Sequence, residues 1–259
     1  DPTGKHICIG NDYNKLQLID VGSHQVIPNS SLSMKYEVNQ MAWGSTGTHI
    51  VLASGEEDMG NVDVLEARIT SNGAKGELSA ELIVQASVHA HTSNCTQLKM
   101  DSNKRIMAIS STDQTISLWH LDELICYKSI HFEAVIRCLS FSQNGAFLAV
   151  SGENFVKVYD TRNAELIKAI DCERKIMHVA FHPSQPRLVL GSDGKVGANQ
   201  NKCAAMRMLD VSGLPEKGGL SPKAKPWAPT NARGQATSFT ELLAAKYARA
   251  DSGGSGSGS

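Results

Sequence analysis

Five segments of this 259-residue chain open with the same kind of polar turn and run directly into a short apolar stretch. They are DPTGKHICIG from Asp1, GSTGTHIVLAS from Gly44, DSNKRIMAIS from Asp101, SQNGAFLAVS from Ser142 and HPSQPRLVLG from His182. Their starts lie 43, 57, 41 and 40 residues apart. A cluster of Gly, Asn, Pro or Ser ahead of about four apolar residues is what a hairpin turn entering a buried strand requires. A period of about 40 residues is that of a four-stranded propeller blade rather than a helical solenoid. The one long interval carries an insert.

The residues around each turn fit strands. Ahead of it stand NQMAW ending at Trp43, CTQLKM ending at Met100, IRCLSF ending at Phe141 and MHVAF ending at Phe181. KLQLID, NVDVLE, TISLWH, FVKVYD and AMRMLD form a further set. Apolar residues alternate in both sets, as they must when successive side chains face opposite sides of a sheet. Ile19-Asp20, Leu65-Glu66, Trp119-His120, Tyr159-Asp160 and Leu209-Asp210 all fill one slot, an apolar or aromatic residue followed by a polar one. In repeats of this period that slot belongs to the Trp-Asp dipeptide. The fold class expected is all-β, a WD-repeat β-propeller of which the chain covers about four to five blades.

The fullest repeat runs from His89 to Leu124, HAHTSNCTQLKMDSNKRIMAISSTDQTISLWHLDEL. It resembles a WD-repeat blade in which a His, a Ser or Thr, an Asp and a Trp form a buried hydrogen-bonded chain. By position these are His91, Ser110 or Ser111 (with Ser111 preferred), Asp113 and Trp119. Such a chain gives every buried polar group a partner and pins the turn, so its role is structural. Asp12 and Asp193 keep the turn acid in other copies, and the copy near Asp58 is loose and glycine-rich.

Composition narrows the function classes. The 25 Lys and Arg against 26 Asp and Glu give a net charge of −1, so binding of nucleic acid or an anionic membrane by overall charge is excluded and any such role must be local. No apolar run approaches the roughly 18 residues of a membrane-spanning helix, and no membrane role is expected. The six cysteines, Cys8, Cys95, Cys126, Cys138, Cys172 and Cys203, form no C-x-x-C pair and read as small buried hydrophobes in a reducing compartment. The sequons at Asn29 and Asn94 read as chance matches. His89, His91 and Cys95 are three soft donors within seven residues, but no fourth ligand or general base accompanies them and His91 already has a structural post. There is no G-x-S-x-G elbow and no glycine-rich phosphate loop before a helix. No catalytic residue, metal, cofactor or small-molecule substrate is expected.

Several longer runs narrow the resemblance: YEVNQMAW from Tyr36, HTSNCTQLKMD from His91, STDQTISLWHLDELICYKS from Ser111, VIRCLSFSQNGAFLA from Val135 and IMHVAFHPSQPRLVLGSDGK from Ile176. Together with MRMLDVSGLP they make residues 1 to 215 similar to the THO complex subunit 3 family. That resemblance implies a seven-bladed propeller that does no chemistry. It further implies a nuclear subunit of the THO core of the transcription-export (TREX) complex, joined to large helical THO subunits and coupling transcription to mRNA processing and export. Against that pattern about two blades and one strand are lacking before Asp1, which would leave two sheet faces uncovered and the isolated chain poorly soluble. A WD-repeat adaptor or ubiquitin-ligase substrate receptor outside mRNA export is the alternative.

Two segments stand apart from the repeats. ARITSNGAKGELSAE, Ala67 to Glu81, lengthens one connection, and its Gly, Asn, Ser and charges suit an exposed excursion. After a propeller at 1–215, residues 216–251 form a Pro- and Lys-rich tail, expected to be mostly disordered, with a short helix over 239–250, where Ser238 and Glu241 make a capping box. Residues 252–259 are a Gly/Ser linker. In the tail Lys223, Lys225 and Arg233 lie about Trp227, and two readings stand open: weak contact with RNA by charge and stacking, or a solvated or partner-binding segment.

Overall fold

The computed structural model describes residues 1–72, 77–192 and 205–211, and these are all β and turn. Among the described residues nineteen strands fall into five antiparallel sheets in chain order. The first contains β1 (His6–Gly10), β2 (Lys15–Asp20) and the two-residue strands β3 (Gln25–Val26) and β4 (Leu32–Ser33). The second is β5 (Glu37–Trp43), β6 (His49–Glu56), β7 (Met59–Asn72) and β8 (Glu77–His91). The third is β9 (Cys95–Met100), β10 (Ile106–Ser111), β11 (Thr115–His120) and β12 (Ile125–His131). The fourth is β13 (Cys138–Phe141), β14 (Phe147–Ser151), β15 (Phe155–Asp160) and β16 (Leu166–Asp171). The fifth shows β17 (Ile176–Phe181), β18 (Arg187–Ser192) and β19 (Ala205–Asp210). The tail residues Lys223, Lys225, Trp227 and Arg233, the 239–250 segment, Asp193 and Cys203 lie outside the described residues.

The polar turn that opens each repeat is one structure used five times. In every copy the first residue's main-chain nitrogen donates to the carbonyl five residues on: Asp1 to His6, Gly44 to His49, Asp101 to Ile106, Ser142 to Phe147 and His182 to Arg187, at 2.7–2.9 Å. The opening side chain then caps the turn. Asp1 Oδ1 accepts from the amides of Lys5 and His6, and Asp101 Oδ1 accepts from those of Arg105 and Ile106. Ser142 Oγ accepts from Phe147 N. The fourth residue is left-handed in four copies, with φ of 71° at Gly4, 73° at Gly47, 54° at Lys104 and 69° at Gly145, which explains the glycine there in three of them.

Register repeats as well. His6 faces Asp20, His49 faces Glu66, Ile106 faces His120, Phe147 faces Asp160 and Arg187 faces Asp210, so all five Trp-Asp-type slots sit across from the residue that closes the turn. The strands β5, β9, β13 and β17 pack on one another in succession and so line a common axis. The following strands β6, β10 and β14 are buried along nearly their whole length, whereas β12 and β16 are mostly exposed. A strand covered on both faces by neighbouring blades needs an unbroken apolar run, hence IVLAS, IMAIS and FLAVS.

The core is accordingly four clusters between successive sheets. Leu16, Leu18, Ile50 and Leu52 join the first two; Val62, Val64, Leu98 and Ile109 join the next. Leu118, Phe132, Leu139 and Val150 follow, then Val156, Val158, Val179 and Leu188. Each fully buried aliphatic side chain contributes roughly 1.5–3 kcal/mol.

The segment from Ala67 to Glu81 departs from the excursion expected of it. Its described residues, 67–72 and 77–81, continue the β7–β8 ladder, with Ala67 facing Leu82, Ile69 facing Ala80 and Asn72 facing Glu77. Ala67, Ala80 and Leu82 are buried, and Ile69 and Leu78 pack with them on the first sheet's Leu16, Leu18 and Ile27. Two alternating half-strands, A-R-I-T and L-S-A-E-L, were masked by the polar residues between them. Their apolar faces are stabilised only because the first blade lies beneath them.

Candidate functional site

The polar constellation that the third sheet assembles is the most developed in the described residues. His91, the last residue of β8, reaches across to β11. Its Nδ1 lies 3.2 Å from Asp113 Oδ2 and 2.9 Å from Thr115 Oγ1, and its Nε2 lies 2.7 Å from Ser117 Oγ. The indole Nε1 of Trp119 donates to the same Ser117 Oγ at 2.7 Å. Asp113 is itself held by the Thr115 amide and hydroxyl at 2.9 and 2.6 Å.

Three of the four residues expected together therefore meet: His91, Asp113 and Trp119. Ser111 does not link them. Its hydroxyl donates to Ser93 O and accepts from Asp113 N, bracing the turn from behind. The link is Ser117, two residues before Trp119 on the same strand and so on the same face. Ser111 is paired with Cys95 at an irregularity of the ladder. Thr115 also joins the chain, between His91 Nδ1 and Asp113 Oδ1. The T-D-Q-T run that contains it is its only sequence signal. In the second sheet the position equivalent to Ser117 is Asp63, whose Oδ2 accepts from Ser54 Oγ at 2.6 Å, both buried. In the first sheet Asp12 is exposed, and Asn11 Oδ1 takes the amides of Tyr13 and Lys15.

Asp113, His91 and Ser117 have the connectivity of a hydrolytic triad, but their surroundings do not suit one. His91 and Ser117 are only 5% and 3% exposed. The serine oxygen is also occupied by the Trp119 N–H, so no substrate carbonyl can reach it along a line of attack. Burial lowers the His91 pKa despite the nearby Asp113. Burial acts to raise Asp113, but hydrogen bonds from Thr115 and the pull of His91 outweigh it and hold the carboxyl below its ordinary range. The neutral imidazole fits a static relay, with the protonated Nδ1 directed to Asp113 and Thr115 and Nε2 accepting from Ser117.

These shifts make stability pH-dependent. A histidine whose folded pKa lies below the ordinary 6.5 is protonated more readily in the unfolded chain. Stability is then complete above 6.5 and is lost as pH falls through the folded value. His49 and His6 are shifted in the same direction, also chiefly by burial. The melting temperature is expected to fall between pH 7.5 and pH 5.5 in differential scanning calorimetry; a melting temperature that rises over that interval contradicts the assignment.

The other expected donors do not converge with His91. Cys95 is fully buried and its thiol is pushed up to about 12 by burial, while His89 is exposed on the sheet edge. No group of three His, Cys, Asp or Glu positioned for a metal ion occurs among the described residues. No helix among them is long and apolar enough to cross a membrane.

Comparison with known proteins agrees with this geometry. Residues 83–120 and 125–160 match the WD40 family, the WD domain or G-beta repeat. The chain is similar to THO complex subunit 3 of Arabidopsis thaliana, 26% identical over 196 residues, which is 75% of this chain and 57% of that protein. It is also similar to WD repeat-containing protein AAC3 of Dictyostelium discoideum, 25% identical over 141 residues, or 54% of this chain and 27% of that one. The chain thus spans little more than half of the first of these relatives and about a quarter of the second. Among solved structures, the β-propeller domain of Cps50 (Swd1) from Myceliophteria thermophila superposes with a TM-score of 0.58 over 73% of this chain and 63% of that one. At 13% identity that likeness bears on the fold alone.

Proposed function

We propose that this chain, a WD-repeat β-propeller protein similar to THO complex subunit 3, is a non-catalytic scaffold subunit of a THO-type assembly. In this reading it acts in the nucleus, docks large helical partner subunits on its blade edges and loop faces, and helps couple transcription to mRNA processing and export. The observation that carries the reading is the similarity to THO complex subunit 3, which runs through 75% of the chain rather than through one motif. The sealed Asp113–His91–Ser117–Trp119 chain supports the non-catalytic part, since its atoms are used up holding a turn. A propeller offers several docking faces without requiring a catalytic group.

Affinity purification of the tagged protein from nuclear extract, followed by mass spectrometry, tests the proposal. THO subunits are expected as the dominant partners. Recovery of a cullin-linked assembly in their place overturns it in favour of a ubiquitin-ligase substrate receptor.

A further inference from the structure

A cleft of about 520 Å³ opens where the far end of the β7–β8 ribbon meets the first sheet. Its apolar surface comes from Val26, Pro28 and Leu78, and its rim from the carboxylates of Asp20 and Glu77. Val26, which lines the cleft, is 46% exposed. Asp20 is engaged by the amide of Ser23, and hydrogen bonding from Ser23 holds it below the ordinary carboxylate range, so it stays charged. Neither Asp20 nor Glu77 forms an ion pair with a Lys or Arg among the described residues.

The backbone adds a second feature. The amide of Ala80 on β8 donates to Pro28 O at 3.0 Å, so this edge of the ribbon points toward the first sheet. The β7–β8 register is regular here, with Ile69 facing Ala80 and Ser71 facing Leu78. In an antiparallel ladder, residues two apart present their main-chain groups to the same edge. Leu78 therefore turns its amide and carbonyl toward the cleft just beyond Pro28. β8 also has no Lys, whereas the outer strands β12 and β16 carry Lys128 and Lys168. Lysine on an edge strand discourages added strands.

We infer that this cleft is a docking site for a short extended segment of a partner protein, pairing its main chain with β8 at Leu78. An apolar side chain of the segment rests on Val26 and Pro28, and flanking Arg or Lys side chains meet Asp20 and Glu77. The commitment to a basic segment follows from charge. The residues lining the cleft include two carboxylates, Asp20 and Glu77, and no Lys or Arg. Strand addition supplies affinity through the main chain and specificity through alternate side chains.

The inference deepens the scaffold reading by naming a docking place and the chemistry of its occupant, and the two are tested separately. Partner recovery from extract tests the assembly, whereas the cleft is tested with the purified chain and a synthetic probe. The probe is a fluorescein-labelled pentapeptide of alternating valine and arginine with blocked termini, followed by fluorescence anisotropy; its valine–glutamate counterpart is the control. Saturable binding of the arginine peptide and none of the glutamate peptide are expected. The double variant Asp20→Asn/Glu77→Gln is expected to bind roughly tenfold more weakly, the sum of two exposed ion pairs. If Asp20→Asn disturbs the Ser23 turn by circular dichroism, Glu77→Gln alone carries the test, with a loss of about threefold. Absence of saturable binding, equal binding of both peptides or undiminished binding by the variants overturns the inference. Self-association by light scattering that Glu77→Lys abolishes also overturns it, because the occupant would then be a second copy.

Discussion

Gly60→Ala is expected to be among the most damaging single substitutions in the described chain, lowering stability by about 3 kcal/mol or more. A Cβ built at Gly60 lies 2.3 Å from Ser93 O and 2.7 Å from Cys95 Sγ. The first neighbour is backbone in the connection from β8 to β9, so relief requires moving the junction between the second and third sheets rather than turning a side chain. In a chain of this size the melting temperature should fall by about 6–12 °C. Gly191→Ala is the control, since its Cβ would find only His178 Cβ at 3.5 Å and His178 Cδ2 at 3.9 Å. Equal melting temperatures for the two variants would mean that the Gly60 junction has room the structure does not show.

The second large effect concerns the buried relay. Ser117→Ala leaves the Trp119 indole N–H and the His91 Nε2 without their shared partner in a site closed to water. A buried polar group left unsatisfied costs about 1–3 kcal/mol, so about 2–4 kcal/mol is expected for the pair. Trp119→Phe removes the donor and part of the packing. Because both variants act on one bond, the double variant should be less damaged than their sum, with a coupling of about 1 kcal/mol by urea denaturation. Ser111→Ala should cost only about 1 kcal/mol, since it loses the bonds to Ser93 O and Asp113 N. A larger loss at Ser111 than at Ser117, or strict additivity of Ser117→Ala and Trp119→Phe, would refute this assignment of the linking hydroxyl.

The family resemblance and the site differ in how much of each was visible beforehand. Strand class and the Trp-Asp slots depend on residues within a few positions of one another, their recurrence gives the blade spacing, and the WD40 match over 83–120 and 125–160 falls on the same repeats. Of the relay, His91, Asp113 and Trp119 could be located because the blade's spacing places them. The serine could not. Ser110, Ser111 and Ser117 are all within reach in sequence, and the folded blade decides among them: Ser117 Oγ meets both Trp119 Nε1 and His91 Nε2, whereas Ser111 Oγ is taken by Ser93 O.

What the sequence determined by itself was local: where the chain turns, which runs alternate and how often the pattern returns. Each turn and strand follows from φ preferences, hydrogen bonding within a turn and the two-residue period of a strand, set over fewer than about ten residues, and the period is read by setting such segments side by side. Only the tertiary structure decided that residues 67–72 and 77–82 pair as a ribbon over the first blade, which serine completes the relay, and that Asp20 and Glu77 border one cleft. Each of these depends on surfaces brought together from residues tens of positions apart. The energy that selects among such arrangements is apolar burial between sheets, which is non-directional and leaves no short signature along the chain.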